Sequence, residues 1–257
     1  MKKNWRYWWT LLYFVVYLVC FFLIEHFMPV TQYHMISTPI DHMIPFNEWF
    51  VFFYISWFGY IFFSFWYFFF KDKKEYLQMI TFLFTGMTLF IVVSVIYPNG
   101  LDIRPKQLGD SNIALILVDL LYKLDTPTNV LPSIHIFNSI GMCMAFSKSK
   151  HATSIMKKGT TILTIGIIIS TFLIKQHGMI DALSAVVLSI ILYVIVYKKN
   201  TYLLTLLTVL PARKALILST VISIILCLEA CAAQEICGVM MQFLALRSGL
   251  SPLIGSV

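Results

Sequence analysis

The chain has 257 residues, 59% of them hydrophobic and only 12% charged, with a mean hydropathy of +0.82, which excludes an ordinary soluble domain and describes a polytopic membrane protein. The net charge of +7 is not a nucleic-acid signal in such a chain, because basic residues gather in the short cytoplasmic loops of membrane proteins. No nucleic-acid partner is expected.

The N-terminal Met1-Lys2-Lys3 and the apolar run behind it have the look of a signal peptide, but Glu25 to Pro29 stand where a small-residue cleavage site would follow. A retained first transmembrane helix is therefore expected. A spanning helix needs about 20 apolar residues, and six stretches meet or approach that length: 7–24, 47–70, 77–97, 131–146, 160–175 and 180–197. Pro29, Pro39 and Pro45 break the first connection, and Ile40 to Phe46 is expected to lie along the membrane surface. The aromatic runs Phe50 to Tyr54 and Trp66 to Phe70 read as lipid-facing and interfacial helix surface.

Between the third and fourth stretches, loop 98–131 is long enough to be functional. Its apolar spacing from Ile113 to Leu124 predicts a short amphipathic helix lying over a site. Residues 200–257 form an additional hydrophobic C-terminal segment, in which Ala215 to Leu228 can make a seventh helix. The fold expectation is thus all-α, a membrane bundle of six or seven helices, with a membrane-embedded domain over 1–199. Cys20, Cys143, Cys227, Cys231 and Cys237 form neither a C-x-x-C pair nor a zinc-spaced set with histidine. No metal site and no cofactor are expected.

Loop charges orient the bundle. With the N-terminus cytoplasmic, 12 basic residues fall on the cytoplasmic side through residue 199, against Arg104, Lys106, Lys123 and Lys175 outside, as the positive-inside rule favours. The same orientation sends loop 98–131 and the stretch Ser170 to Asp181 to one extracytoplasmic face of a cell membrane.

That stretch, S-T-F-L-I-K-Q-H-G-M-I-D, puts Lys175, Gln176, His177 and Asp181 between two apolar runs, where charge is expensive. Residues four apart share a helix face, so Asp181 can hold one ring nitrogen of His177 and leave the other free to attack or to take a proton. Pro132 suits the first turn of a helix, which places Ser133 and His135 where unpaired N–H groups favour an anion. Arg104 can make a bidentate contact with phosphate oxygens. Two histidines then allow one to attack phosphorus and the other to protonate the leaving oxygen. Plainer roles stand beside these: Ser133 as a helix cap, and Arg104 and Lys175 as interfacial anchors.

The set R-P at Arg104-Pro105, P-S-x-H at Pro132 to His135, and S-x-x-x-x-x-x-H-x-x-x-D from Ser170 to Asp181 resembles the type 2 phosphatidic acid phosphatase superfamily of integral membrane lipid phosphatases and phosphotransferases. The resemblance covers residues 100–197. It implies a metal-free phosphohistidine mechanism with His177 as nucleophile, Asp181 orienting it and His135 as general acid. Arg104 and Ser133 would bind phosphate oxygens of a lipid substrate: phosphatidic acid, phosphatidylglycerol phosphate or a polyprenyl diphosphate. Tyr97 stands where the family's first motif carries a Lys, and Thr171 where its third carries an Arg; Lys175 or Lys106 is expected to compensate. The K-Q-H-x-x-x-D form around Lys175 resembles the inositolphosphorylceramide synthase-like branch, which makes transfer to an alcohol the alternative to hydrolysis. A lipid-phosphate-binding membrane protein without catalysis is the third reading.

Overall fold

The computed structural model describes residues 10–27, 32–109 and 111–198. The segment 200–257, with its expected seventh helix, and the basic residues Lys2, Lys3 and Arg6 lie outside the described residues. The described chain runs α1 (Leu12–Phe27), β1 (His34–Met35), α2 (Pro39–Met43), a 3-10 turn (Glu48–Phe50), α3 (Val51–Lys71), α4 (Lys73–Ile96), β2 (Asn99–Gly100), α5 (Ile113–Leu124), α6 (Ile134–Lys148), α7 (Ser154–Leu173) and α8 (Met179–Tyr193), which continues as a π-helical turn over Val194–Lys198. Among the described residues, four segments are long and apolar enough to cross a membrane: Glu48–Lys71, Lys73–Ile96, Ser154–Leu173 and Met179–Lys198. The molecule is an all-helical membrane protein.

Helix boundaries follow local chemistry. Asp72 ends α3 and caps α4, its Oδ1 accepting the N–H groups of Lys74 and Glu75 at 2.8 and 2.9 Å. Thr153 caps α7 and Asn112 caps α5 in the same way. The predicted amphipathic helix is α5 itself, with Ala114, Val118 and Leu121 buried on its inner face and Ile113, Ile116, Leu120 and Leu124 exposed on its outer one.

The centre of the bundle is α6, packed against α3, α4, α7 and α8. Its 15 residues span only about 22 Å, short of the ~30 Å of hydrocarbon. The neighbouring helices shield it from lipid, so it buries Asn138 and Ser139 where a lipid-facing helix would not. Reciprocal ring-into-glycine packing joins it to α4. Phe137 fills the space at Gly86, where a Cβ would stand 2.0 Å from its ring, and Phe82 fills the space at Gly141, where a Cβ would stand 2.6 Å away. The two rings stack 4.9 Å apart at 7°. Small residues at helix contacts permit this close approach in membranes.

The aromatic runs of α3 face both ways. Phe52, Phe53, Trp66 and Phe70 are exposed, whereas Tyr54 and Phe68 are completely buried. The lipid-facing reading therefore holds for one side of α3 only; the other side is core, because α4, α6 and α7 pack against it.

Candidate active site

Two short turns carry the candidate site residues, at the end of the bundle opposite the α3–α4 and α6–α7 connections. The first is Leu131 to His135. A cis peptide joins Leu131 to Pro132, and the helix begins after it: Ser133 is the cap of α6, its hydroxyl accepting the N–H of Ile136 at 3.3 Å. Pro132 thus precedes the helix rather than occupying its first turn, which leaves His135 as the second helical residue.

The second turn closes α7. Lys175 adopts a left-handed φ of 57°, its N–H donates to the Phe172 carbonyl at 3.1 Å and that of Gln176 donates to the Thr171 carbonyl at 2.9 Å. This is the pair of bonds that ends many helices, usually with glycine at the left-handed position. A lysine tolerates it here because its ammonium is held elsewhere, donating to the carbonyls of Asp41, at 2.6 Å, and of Ile44. Asp41 completes the clamp. Its Oδ2 accepts from Thr38 and its Oδ1 accepts the N–H of Met179 at 2.8 Å. A Cβ on Gly178 would stand 3.0 Å from that carboxylate, so glycine permits the approach.

The two turns are docked backbone to backbone, the N–H of Ser133 donating to the Asp181 carbonyl at 3.1 Å. Across this junction runs a line of side chains. Asp181, fully buried, accepts the N–H of Gly178 on Oδ1 at 2.8 Å and His177 Nδ1–H on Oδ2 at 2.5 Å. His177 Nε2 meets His135 Nδ1 at 3.1 Å, and His135 Nδ1 lies 3.3 Å from the Tyr54 hydroxyl. That hydroxyl donates to Asp125 Oδ2 at 2.7 Å. Since a carboxylate accepts only, Asp181 puts the His177 proton on Nδ1 and leaves the Nε2 lone pair facing His135. The His135 ring is held between Tyr54 and Trp57, with centroids 4.5 and 4.3 Å away.

Arg104 lies behind the histidines. Its Nη2 donates to the Asp125 carbonyl at 2.7 Å and to Gln176 Oε1, and its Nη1 donates to the Tyr122 carbonyl at 3.4 Å. The guanidinium also covers the Tyr122 ring at 4.2 Å. Burial pushes the Arg104 pKa down and the nearby Asp125 carboxylate pushes it back up, which keeps the cation in place. Burial raises the Tyr122 phenol to about 12, so it stays neutral and donates to the Ile174 carbonyl at 2.7 Å.

The residues singled out in the sequence are therefore distributed unequally. His135, His177 and Asp181 are brought into one hydrogen-bonded line, Arg104 lies beside it, and Ser133 links the two turns. Lys175 is directed to Asp41 and Ile44, away from the histidines, and Lys106 is exposed. Tyr97 stacks on His34 at 4.5 Å, and the Thr171 hydroxyl donates to the Ile168 carbonyl of its own helix at 2.7 Å. None of these four supplies a donor beside the histidines. Three participants carried no local sequence signal, Tyr54, Trp57 and Asp125, and Gln176 was marked only as part of the polar break beside His177.

A cavity of about 330 Å³ opens beside the histidines. Its polar end is formed by Asp125, Asn129, His135, Gln176 and His177, and its remaining wall by apolar side chains of α1, α3, α4 and α5 such as Phe21, Ile55, Phe90 and Leu121. Among the described residues no group of three or more His, Cys, Asp or Glu is placed to hold a metal ion. Comparison of the chain with protein-family models, with curated proteins and with solved structures finds no match.

Proposed function

We propose that the protein is a membrane enzyme of the type 2 phosphatidic acid phosphatase kind, which removes a phosphate group from a lipid through a phosphohistidine on His177. The observation that carries this reading is the Asp181–His177–His135 line at the polar end of a largely apolar cavity. A nucleophile oriented by a carboxylate and faced by a second titratable ring is the arrangement covalent catalysis requires, and the apolar wall suits the tail of an amphiphile.

The steps follow from the geometry. A phosphorus atom with its attacking and leaving groups in line does not fit between nitrogens one hydrogen bond apart, so the two rings separate as the phosphate enters. His177 Nε2 then attacks phosphorus, and the P–N bond forms as the P–O bond to the lipid breaks. His135, held as imidazolium by the adjacent phosphate charge, gives its Nδ1 proton to the leaving oxygen. Water next loses a proton to His135 and attacks the phosphohistidine. The P–N bond breaks, and inorganic phosphate leaves with both rings restored. Asp181 fixes the tautomer and stabilises the cationic ring through the cycle. Arg104 contributes positive charge, and Ser133 locks α6 to the nucleophile's turn. Six spans, a cytoplasmic N-terminus and an extracytoplasmic site complete the reading, supported by the loop charges.

The test is a panel of phosphatidic acid, phosphatidylglycerol phosphate and a polyprenyl diphosphate, with and without free inositol, scored for released phosphate and for new phospholipid. Free phosphate from at least one lipid, lost by at least about 10⁴-fold in His177→Ala, is the expected result. New phospholipid made only with inositol would identify a transferase instead, and near-normal turnover in His177→Ala would sink the mechanism.

A further inference from the structure

We propose that the side-chain amide of Gln176 is the phosphate-oxygen donor of this site, and that Arg104 acts behind it as a positioning residue rather than as the direct ligand. This rests on the phosphate-site reading above and names how that site holds its anion.

Gln176 is 2% exposed, adjoins the nucleophile in sequence and lines the cavity with both histidines. Its Oε1 accepts from Arg104 Nη2. A guanidinium can only donate, so this contact fixes the amide the other way round, with the NH₂ group as the free end. That nitrogen is buried and has no hydrogen-bond partner. A buried donor left without an acceptor is destabilising, so its retention calls for an acceptor that arrives later. Trp57 repeats the pattern: its ring packs on His135, it lines the same cavity, and its Nε1 is buried and unpaired. Both donors belong to residues that line the cavity together with the two histidines, and an anion with several acceptor oxygens is the ligand that satisfies both.

The arrangement also accounts for the cations that are missing or turned away. Thr171 and Lys175 bond to backbone carbonyls, both Nη groups of Arg104 are engaged with protein acceptors, and its Nε, buried and without a partner, belongs to a residue that does not line the cavity. The positive charge therefore reaches the phosphate through the carboxamide, whose N–H groups the guanidinium polarises by pulling on the oxygen. A relay of this kind keeps the cation fixed when the anion leaves.

The experiment measures the affinity of full-length protein in lipid nanodiscs for inorganic phosphate by ³¹P line broadening, in the His177→Ala background so that no phosphohistidine forms. Gln176→Glu keeps an acceptor for Arg104 but presents charge to the anion, and is expected to weaken binding at least about tenfold. Gln176→Met, which retains volume, should weaken it about threefold to tenfold. Arg104→Met should cost much less affinity in the Gln176→Met background than alone, the coupling expected of residues acting in series. Additive losses from Arg104 and Gln176 would overturn the relay. Unchanged binding in both Gln176 variants would overturn the donor assignment while leaving the His177 chemistry standing. No phosphate binding by the parent protein would remove the phosphate site itself.

Discussion

The two ends of the bundle handle charge by opposite means. At the α3–α4 and α6–α7 end, Lys71, Lys74 and Lys150 are exposed, and His151 pairs with Asp72 across 3.7 Å with both side chains in solvent. At the other end Asp181, His177, His135 and Lys175 are each less than a tenth exposed and bonded to one another or to backbone. Water stabilises the first set, and fixed protein groups must stabilise the second. The difference teaches where substitution matters: an exposed charge can be lost to solvent at little cost, whereas each member of the buried line leaves a neighbour unpaired.

Three substitutions probe that contrast. Asp181→Asn keeps the shape but changes which His177 nitrogen carries the proton, and turnover in the proposed reaction should fall about 10²- to 10⁴-fold; a loss under threefold would mean that the buried line is structural. Tyr54→Phe removes the hydroxyl between His135 and Asp125, and a single hydrogen bond of this kind is worth about tenfold in turnover. Steady-state kinetics should place that loss in kcat, since Tyr54 acts through His135 and not on the lipid. Lys150→Ala at the exposed end should leave turnover within about twofold of the parent, as surface changes do. A larger loss there would show that the two ends are not independent.

Legibility in the sequence tracked how local each signal was. The four-residue spacing of His177 and Asp181 and the P-S-x-H turn are local, so their pairing was readable, as were the ends of α5 from its apolar period; yet the two do not share a helix face, since His177 precedes α8 and Asp181 reaches back to it from the first turn of that helix. Lys175 and Gln176 show the limit. From sequence, Lys175 is the candidate phosphate ligand and Gln176 is assigned no role of its own. The left-handed turn at Lys175 sends its ammonium toward Asp41, and the amide meets Arg104 and the cavity instead. No pattern short of the folded turn contains that exchange. Tyr54 was hidden differently, in an aromatic run whose hydrophobicity does not distinguish the side facing lipid from the side facing α6. Asp125 contacts Tyr54 across 71 positions of chain, beyond the reach of any periodicity argument.

The Asp41 clamp carries a consequence for biosynthesis. Its carboxylate is made early, in the first connection, yet one of its oxygens is satisfied only by the N–H of Met179, 138 positions later. Chains emerge N-terminus first, so α3 to α7 are synthesised while that oxygen still lacks its native partner. The turn carrying His177 closes over the first connection only once α8 has begun. A nascent chain stalled before Met179 already contains His135 and Arg104 but lacks Asp181, so the buried line on which the proposed reaction depends can form only after α8 has begun.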